Sequence, residues 1–160
     1  MNIMIVGVGG QGTLLASRIL GNIVIEEGYD VKVSEVHGMS QRGGSVVTYV
    51  KFGDKVYSPI IDKGEADIIL AFEMLEAYRA LPYLKKDGKI IVNNQTMNPM
   101  PVIIGAMEYP KDIKEKLEKV VNLECVNALE LAKEAGRKGG LKSSRRGIKN
   151  GQGKTTKYYD

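Results

Sequence analysis

A glycine-rich segment near the start of this 160-residue chain is the first place where the residue types suggest binding chemistry. It reads G-V-G-G-Q-G over residues 7–12, directly after a short apolar run and before a helical pattern. In that context glycines permit a tight turn, and the free N–H groups at the helix start favour a phosphate or a carboxylate. The candidate cradle consists of Gly7, Gly9, Gly10, Gln11 and Gly12. The alternative is a turn that only keeps the strand–helix connection compact, because this spacing alone is a weak signal.

A second segment, E-V-H-G-M-S-Q-R-G-G over residues 35–44, contains the chain's single histidine and an arginine among three glycines. It follows a predicted strand, and ligands of open α/β sheets bind at the carboxyl ends of strands. Arg42 could hold a phosphate or carboxylate in two hydrogen bonds. Glu35 could bind a ribose hydroxyl or hydrogen-bond the loop that follows it. The candidate residues are Glu35, His37, Ser40, Gln41, Arg42, Gly43 and Gly44; a surface turn with an exposed arginine is the alternative.

No residue is predicted to be catalytic. His37 has no serine, cysteine or aspartate in a readable triad arrangement, and a lone histidine is more often structural. Glu73 and Glu76 lie one helical turn apart and could pair as acid and base. We interpret them instead as solvated carboxylates that the helix dipole favours in a first turn. Cys125 and His37, the only residues of their kinds, cannot supply four ligands to an iron–sulfur cluster or a structural zinc ion.

Strand and helix patterns alternate along the chain, which predicts a three-layer α/β/α domain with a Rossmann-like, mixed and mostly parallel sheet. Apolar residues recur at helical spacing just after the first glycine-rich segment, at Leu14, Leu15, Ile19, Ile23 and Val24. Helices are predicted at 13–27, 73–81, 110–119 and 127–135. Strands are predicted at 2–6, 31–36, 45–52, 67–72, 89–93 and 120–124, with a short strand at 102–104 and a hairpin turn at 53–55 that leads into Val56 and Tyr57.

Charge divides the chain into two parts. Residues 137–160 carry eight basic side chains and one acidic side chain, whereas residues 1–136 carry 15 basic and 18 acidic ones. We predict one domain over 1–136 and a basic, disordered tail over 137–160, because the tail has too few apolar residues to repay ordering. The tail could act as a nucleic-acid arm, although the acidic body does not favour this. The N-terminus resembles no secretory signal and no apolar run is long enough to span a membrane, so we expect a cytoplasmic protein.

Four motifs together resemble the gamma-type domain of the 2-oxoacid:ferredoxin oxidoreductases. They are G-V-G-G-Q-G-T at 7–13, E-V-H-G-M-S-Q-R-G-G-S-V at 35–46, Y-S-P at 57–59 and A-D-I-I-L-A-F-E at 66–73. The H-G-M-S-Q-R-G-G form is most similar to the small beta subunits of the indolepyruvate ferredoxin oxidoreductases. The resemblance covers about residues 1–136, and the two glycine-rich segments together are far more specific than either alone.

This resemblance implies a non-catalytic subunit of an enzyme that decarboxylates an aryl pyruvate, reduces ferredoxin and releases an acyl-CoA. It places thiamine diphosphate, Mg²⁺ and 4Fe–4S clusters in a large alpha subunit, so that this chain binds no cofactor by itself. It also implicates this subunit in handling coenzyme A. We hypothesise that both glycine-rich segments face the active site of the alpha subunit, where Arg42 and the loop N–H groups contact either coenzyme A phosphates or the alpha subunit itself.

The C-terminal part departs from the family pattern, because a Lys/Arg/Gly-rich stretch stands where further apolar helical sequence is expected. Three other interpretations remain open at this point. The chain could be the gamma subunit of a related pyruvate or 2-oxoglutarate enzyme, a free-standing nucleotide-binding module, or a protein that binds nucleic acid through its tail.

Overall fold

A computed structural model of the protein describes residues 1–37, 43–128, 130–131 and 133–134. Its six described strands are β1 (Asn2–Val8), β2 (Asp30–His37), β3 (Ser45–Gly53), β4 (Ala66–Ala71), β5 (Leu84–Asn93) and β6 (Asn122–Val126). They form one sheet in the order β2-β3-β1-β4-β5-β6. Among these six strands, β3 alone runs in the opposite direction, so its pairs with β2 and β1 are antiparallel. The pairs β1–β4, β4–β5 and β5–β6 are parallel. The predicted α/β class with a mixed, mostly parallel sheet is confirmed.

Four described helices connect these strands: α1 (Thr13–Glu26), α2 (Met74–Ala80), α3 (Met100–Ile103) and α4 (Ile113–Glu118), and a single 3₁₀ turn (Leu81–Tyr83) follows α2. The helix α1 starts after Gly12 in the left-handed conformation (φ 90°) and stops at Gly28 (φ 88°). Both positions suit glycine because it has no Cβ atom. The described residues between 128 and 134 are also helical, within the predicted helix 127–135.

The sheet separates two apolar layers, because alternate residues of β1 face opposite sides. Ile3 and Ile5 lie in the cluster beneath α1. Met4 and Val6 lie in the larger cluster with residues of α2 and α4. The described residues of the first compact unit, Met1–Asn127, therefore form a three-layer domain with α1 on one face and α2 and α4 on the other.

The side of α1 that packs on the sheet is lined by small residues. Thr13, Ser17, Gly21 and Val24 are buried. Small side chains let the helix axis approach the sheet closely, so the larger aliphatic residues turn away from it. Leu15, Ile19 and Ile23 are 63%, 53% and 51% exposed. Of the apolar residues whose spacing indicated this helix, Val24 alone is buried.

Two predicted elements are wrong. The chain after β3 does not return as a hairpin, because β3 already pairs with β2 on one side and β1 on the other. Instead, the N–H of Val56 donates to the Asp30 carboxylate at 2.9 Å and holds the chain beside the start of β2. Residues 102–104 form no strand; Met100–Ile103 is a helical turn, which Pro99 and Pro101 at its start favour.

Several predictions fall outside the described residues. They are the disordered tail at 137–160, the domain boundary at 136 and the middle of the second glycine-rich segment at 38–42. Within the described residues, no helix is long and apolar enough to cross a membrane.

Candidate functional site

The two glycine-rich segments meet at one edge of the sheet. Because β3 is antiparallel, its first residue lies beside the last residue of β1, with Ser45 opposite Val8. The N–H of Gly9 donates to the carbonyl oxygen of Gly44 at 2.9 Å. This is the edge where the parallel strands end, so the fold brings the predicted segments together at the position where ligands of such sheets bind.

The first segment is a tight turn with little space around Gly7. The N–H of Gln11 donates back to the Val8 carbonyl at 3.1 Å, and Gly10 has a φ of 99°. A Cβ atom on Gly7 would lie 2.9 Å from Thr13 Cγ2 and 3.1 Å from Phe72 Cβ. Gly7 is therefore required for close packing, whereas Gly10 is required for the turn.

The side-chain amide of Gln11 is used inside the fold. Its Oε1 accepts from the N–H of Val8 at 2.7 Å, and its Nε2 donates to the carbonyl of Phe72 at 3.2 Å. The Nε2 also lies 3.4 Å from Gln95 Oε1. Gln11 therefore joins the ends of β1 and β4. It has this structural role in addition to the ligand-binding role predicted for it.

A cleft of about 570 Å³ opens beside the first segment. The start of α1 forms one wall, and Gly12, which precedes the helix, provides no side-chain cap for it. Uncapped N–H groups at a helix start favour an anion. Glu35 of β2 also lines this cleft. The structure therefore places its carboxylate next to the first glycine-rich segment, which is where an acid that binds a ligand of that segment would have to lie. The lining includes Gly9, Gly10, Gly12, Arg18, Glu35 and Val46.

Arg18 is a residue of the cleft that sequence reasoning missed. It lies in the second turn of α1, four residues after Leu14, and both line the cleft. Residues four apart lie on the same face of a helix. The position of Arg18, four residues after Leu14 in the first turn, could therefore have indicated that Arg18 lies near the helix start. Arg18 contributes a positive charge that a phosphate or carboxylate in this cleft would contact, and Glu35 contributes the opposite charge.

The second segment is described only at its ends. Glu35 and His37 belong to β2, where the His37 backbone pairs with Val46. Gly43 adopts a φ of 75°, and Gly44 is the acceptor for Gly9. Ser40, Gln41 and Arg42 lie outside the described residues.

Glu73 and Glu76 are buried, so the interpretation as solvated carboxylates is wrong. Glu73 is 1% exposed and caps α2, because its Oε2 accepts from the N–H of Glu76 at 3.0 Å. Its Oε1 accepts from the Tyr109 hydroxyl at 2.6 Å and from the N–H of Met97 at 3.1 Å. These partners offset the cost of burying the charge.

Glu76 is 5% exposed and connects α2 to the end of the second segment. Its Oε1 accepts from Arg79 at 2.7 Å, and its Oε2 accepts from the Ser45 hydroxyl at 2.5 Å. A small cavity of about 50 Å³ lies here, lined by Gly43, Ser45, Glu73, Glu76 and Asn98 among others. The second buried carboxylate therefore lies next to the junction of the two segments.

Tyr109 remains protonated at physiological pH. Burial raises the pKa of its hydroxyl well above the ordinary value, and the hydrogen bond and negative charge of Glu73 raise it further. Tyr109 thus acts as a hydrogen-bond donor that holds Glu73.

Among the described residues, no group of three or more histidine, cysteine, aspartate or glutamate side chains could hold a metal ion. Cys125 is a free, half-buried thiol on β6. The described side chains therefore do not fit an iron–sulfur cluster, which requires several thiolates.

Comparison with known proteins points to one family. Residues 2–150 match the family described as pyruvate ferredoxin/flavodoxin oxidoreductase. The Indolepyruvate oxidoreductase subunit IorB of Pyrococcus horikoshii is 48% identical over 139 residues, which are 84% of this chain and 69% of that protein.

Two solved structures share the fold. Pyruvate oxidoreductase subunit PORC from Thermotoga maritima superposes with a TM-score of 0.58 at 20% identity, over 82% of this chain and 64% of that chain. The 2-oxoglutarate:ferredoxin oxidoreductase from Magnetococcus marinus, with 2-oxoglutarate, coenzyme A and succinyl-CoA bound, gives 0.60 at 18% identity. That match covers 84% of this chain and 21% of the longer chain. At these identities the likeness concerns the fold alone.

Proposed function

The chain belongs to the pyruvate ferredoxin/flavodoxin oxidoreductase family, and on that premise we propose that it is the small, non-catalytic subunit of an indolepyruvate:ferredoxin oxidoreductase. The whole enzyme would convert an aryl pyruvate and coenzyme A to an acyl-CoA and CO₂ and pass two electrons to ferredoxin. The 48% identity to a protein named for indolepyruvate supports this substrate class.

We place thiamine diphosphate, Mg²⁺ and the iron–sulfur clusters in a large alpha subunit. The sequence has one cysteine and one histidine, which are too few to bind a 4Fe–4S cluster. The residues of this chain would shape and cover a site whose reacting groups belong to the partner.

The observation that carries the proposal is the hydrogen bond between Gly9 and Gly44, which joins the two glycine-rich segments beside an anion-binding helix start. We propose that coenzyme A phosphates lie in the cleft against the first turn of α1. The positively charged side chain of Arg18, which lines this cleft, would contact them. Arg42 is proposed as a second cation from the other segment. Backbone N–H groups and arginines together suit a diphosphate.

The exposed face of α1 is proposed as part of the contact with the alpha subunit. Leu15 lines the cleft and is followed at four-residue intervals by Ile19 and Ile23, all more than half exposed. An aliphatic stripe of this kind is typical of a surface that a partner covers. Because the stripe begins at the cleft, a subunit that covers the cleft would also cover the stripe.

The test is co-expression of this chain with the large subunit, followed by indolepyruvate- and coenzyme A-dependent reduction of methyl viologen. Activity that requires this chain supports the proposal. Assays with pyruvate and 2-oxoglutarate distinguish the related enzymes of the family. A complex that is equally active without this chain would contradict a subunit role.

Two arginine variants test the coenzyme A assignment within that complex. Arg18→Ala and Arg42→Ala should each raise the KM for coenzyme A about tenfold, which is the effect of losing one charged hydrogen bond. Lys63→Ala is the matched control, since Lys63 precedes β4 at the opposite edge of the sheet. Unchanged coenzyme A dependence together with unchanged subunit affinity in both variants would overturn the assignment.

A free-standing nucleotide-binding module is the second candidate, and the position of Glu35 favours it. A carboxylate beside a glycine-rich turn is the arrangement that binds a ribose hydroxyl in dinucleotide sites. Calorimetric titration of the isolated chain with NAD and FAD distinguishes the two functions. Micromolar or tighter binding would favour the module.

A further inference from the structure

The carboxylate of Glu76 is held in a direction that points it at Ser45. Arg79 binds one carboxylate oxygen from the next turn of α2, and Ser45 binds the other. Ser45 is the first residue of β3 and directly follows Gly43 and Gly44. The side chain therefore connects the start of α2 to the point where the second glycine-rich segment enters the sheet.

Core packing alone does not account for this arrangement. Glu76 lies between Leu75 and Ala77, which are both buried apolar residues, and it is as buried as they are. Burying a carboxylate costs free energy that an aliphatic side chain would not, even where an arginine pairs with it. Arg79 is about half exposed, so Glu76 is the buried member of this ion pair, and a role in selecting one arrangement of its neighbours would account for its burial better than fold stability does.

The neighbours that Glu76 would select adjoin the proposed binding cleft, which Gly9 lines. Gly44, adjacent to Ser45, accepts the hydrogen bond from Gly9. The N–H of Val8, which lies opposite Ser45 in the sheet, donates to Gln11 Oε1. A shift of Ser45 would thus move Gly44 relative to Gly9 and change the rim of the cleft.

We infer that Glu76 is a positioning residue, which through Ser45 fixes Gly44 against Gly9 and so sets the geometry of the coenzyme A cleft. This inference rests on the proposed function, since it assigns the cleft to coenzyme A. Glu76 is not among the residues that line this cleft, so its effect would pass through the Ser45 hydroxyl.

Variants of Ser45 provide the most direct test, because Ser45 is exposed and its substitution should not disturb the core. In the assembled enzyme, Ser45→Ala should raise the KM for coenzyme A about fivefold, with kcat changed less than about twofold. Ser45→Thr keeps the hydroxyl on a strand residue and should restore the KM. Ser58→Ala is the matched control, since Ser58 lies in the loop near the opposite edge of the sheet.

A double-mutant cycle separates positioning from a general structural effect. Glu76→Met and Ser45→Ala each remove the hydrogen bond between these two side chains, so the double variant should have nearly the same KM as Glu76→Met alone. Additive effects on KM would show that the two residues act independently and would overturn the inference.

Hydrogen exchange tests the same inference without any activity assay. In the full chain, Ser45→Ala should accelerate exchange of the Gly9 N–H about tenfold, because its acceptor Gly44 is no longer fixed. The N–H of Ile69 in the central strand β4 should not change. Unchanged Gly9 exchange with an unchanged KM would overturn the inference. An enzyme that does not require this chain would overturn the proposed function instead, and the exchange result would still decide the positioning role.

Discussion

The N–H of Gly9 donates to the carbonyl oxygen of Gly44 at 2.9 Å, which joins the turn after β1 to the segment that enters β3. This contact exists because β3 is antiparallel in an otherwise parallel sheet, so that its start meets the ends of its neighbours. Two segments that are distant in the sequence thereby form one rim.

Gly7→Ala should destabilise the protein by about 1–3 kcal/mol, the usual cost of overpacking a filled site. The added Cβ would meet Thr13 Cγ2 at 2.9 Å and Gln11 Oε1 at 3.0 Å. The free energy of unfolding in urea measures the effect. Gly53→Ala at the end of β3 is the control, because a Cβ there meets nothing within 4 Å. Equal stability of the two variants would contradict the packing argument.

Ile23→Ser on the exposed face of α1 should weaken binding to the large subunit at least about tenfold, as expected when a buried aliphatic contact is lost. The isolated variant should keep its stability within about 0.5 kcal/mol, since Ile23 is half exposed. Ile60→Ser is the matched control, because Ile60 is also about half exposed but lies in the loop between β3 and β4. Titration calorimetry of the two subunits gives both affinities; equal losses would mean that α1 is not the contact.

Thr48→Val should stabilise the protein by about 1 kcal/mol, because it removes a hydroxyl that is buried without a partner. Thr48 is fully buried on β3, and its Oγ1 has no hydrogen bond in the described structure. The reciprocal variant Val50→Thr would bury a second hydroxyl two residues along the same strand and should destabilise. Thermal or urea unfolding measures both. A Thr48→Val protein that is less stable than the parent would reveal a hidden partner for the hydroxyl.

Asp67 should contribute stability at neutral pH that is lost in acid. Burial by itself would raise the pKa of its carboxyl, but hydrogen bonds from the Asn2 N–H and from Lys85 outweigh burial and lower the pKa. A group whose pKa is lower in the folded state binds fewer protons there than in the unfolded state. Its contribution is therefore present above the unfolded pKa and disappears as pH falls below about 5 and through the folded pKa.

The measurement for Asp67 is the free energy of unfolding of the parent and of Asp67→Asn between pH 7 and pH 3. The parent should be more stable at pH 7, and the difference should shrink as pH falls. Asp54→Asn, in an exposed turn, is the charge-matched control. A difference that stays constant with pH would mean that Asp67 acts through hydrogen-bond geometry and not through its charge.

Much of the architecture could be predicted because it depends on local chemistry. The left-handed glycines at Gly12 and Gly28 and the apolar runs at 2–8 and 66–71 define element boundaries within a few residues. The same local signals placed both glycine-rich segments after strands. Together with the motifs at 57–59 and 66–73, the residue pattern of those segments indicates the family.

The packing partners of those elements could not be read in the same way. Helical spacing shows that α1 has an apolar face, but it does not tell whether that face or the small-residue face meets the sheet. Burial of Glu73 and Glu76 depends on Tyr109 and Ser45, which are far away in the sequence and become neighbours only in the folded chain. The hairpin predicted after Gly53 was wrong for a similar reason, because the strands that flank β3 come from elsewhere.

The order of the elements, the turns that glycine must form and the chemistry available at the strand ends can all be inferred from the residues alone. These follow from interactions between residues that are close in the chain. The contact of Gly9 with Gly44, the shared cleft of Arg18 and Glu35, and the burial of Glu73 and Glu76 depend on the folded chain. The physical reason is that burial and electrostatics depend on distances across the sheet, which strand order and direction set.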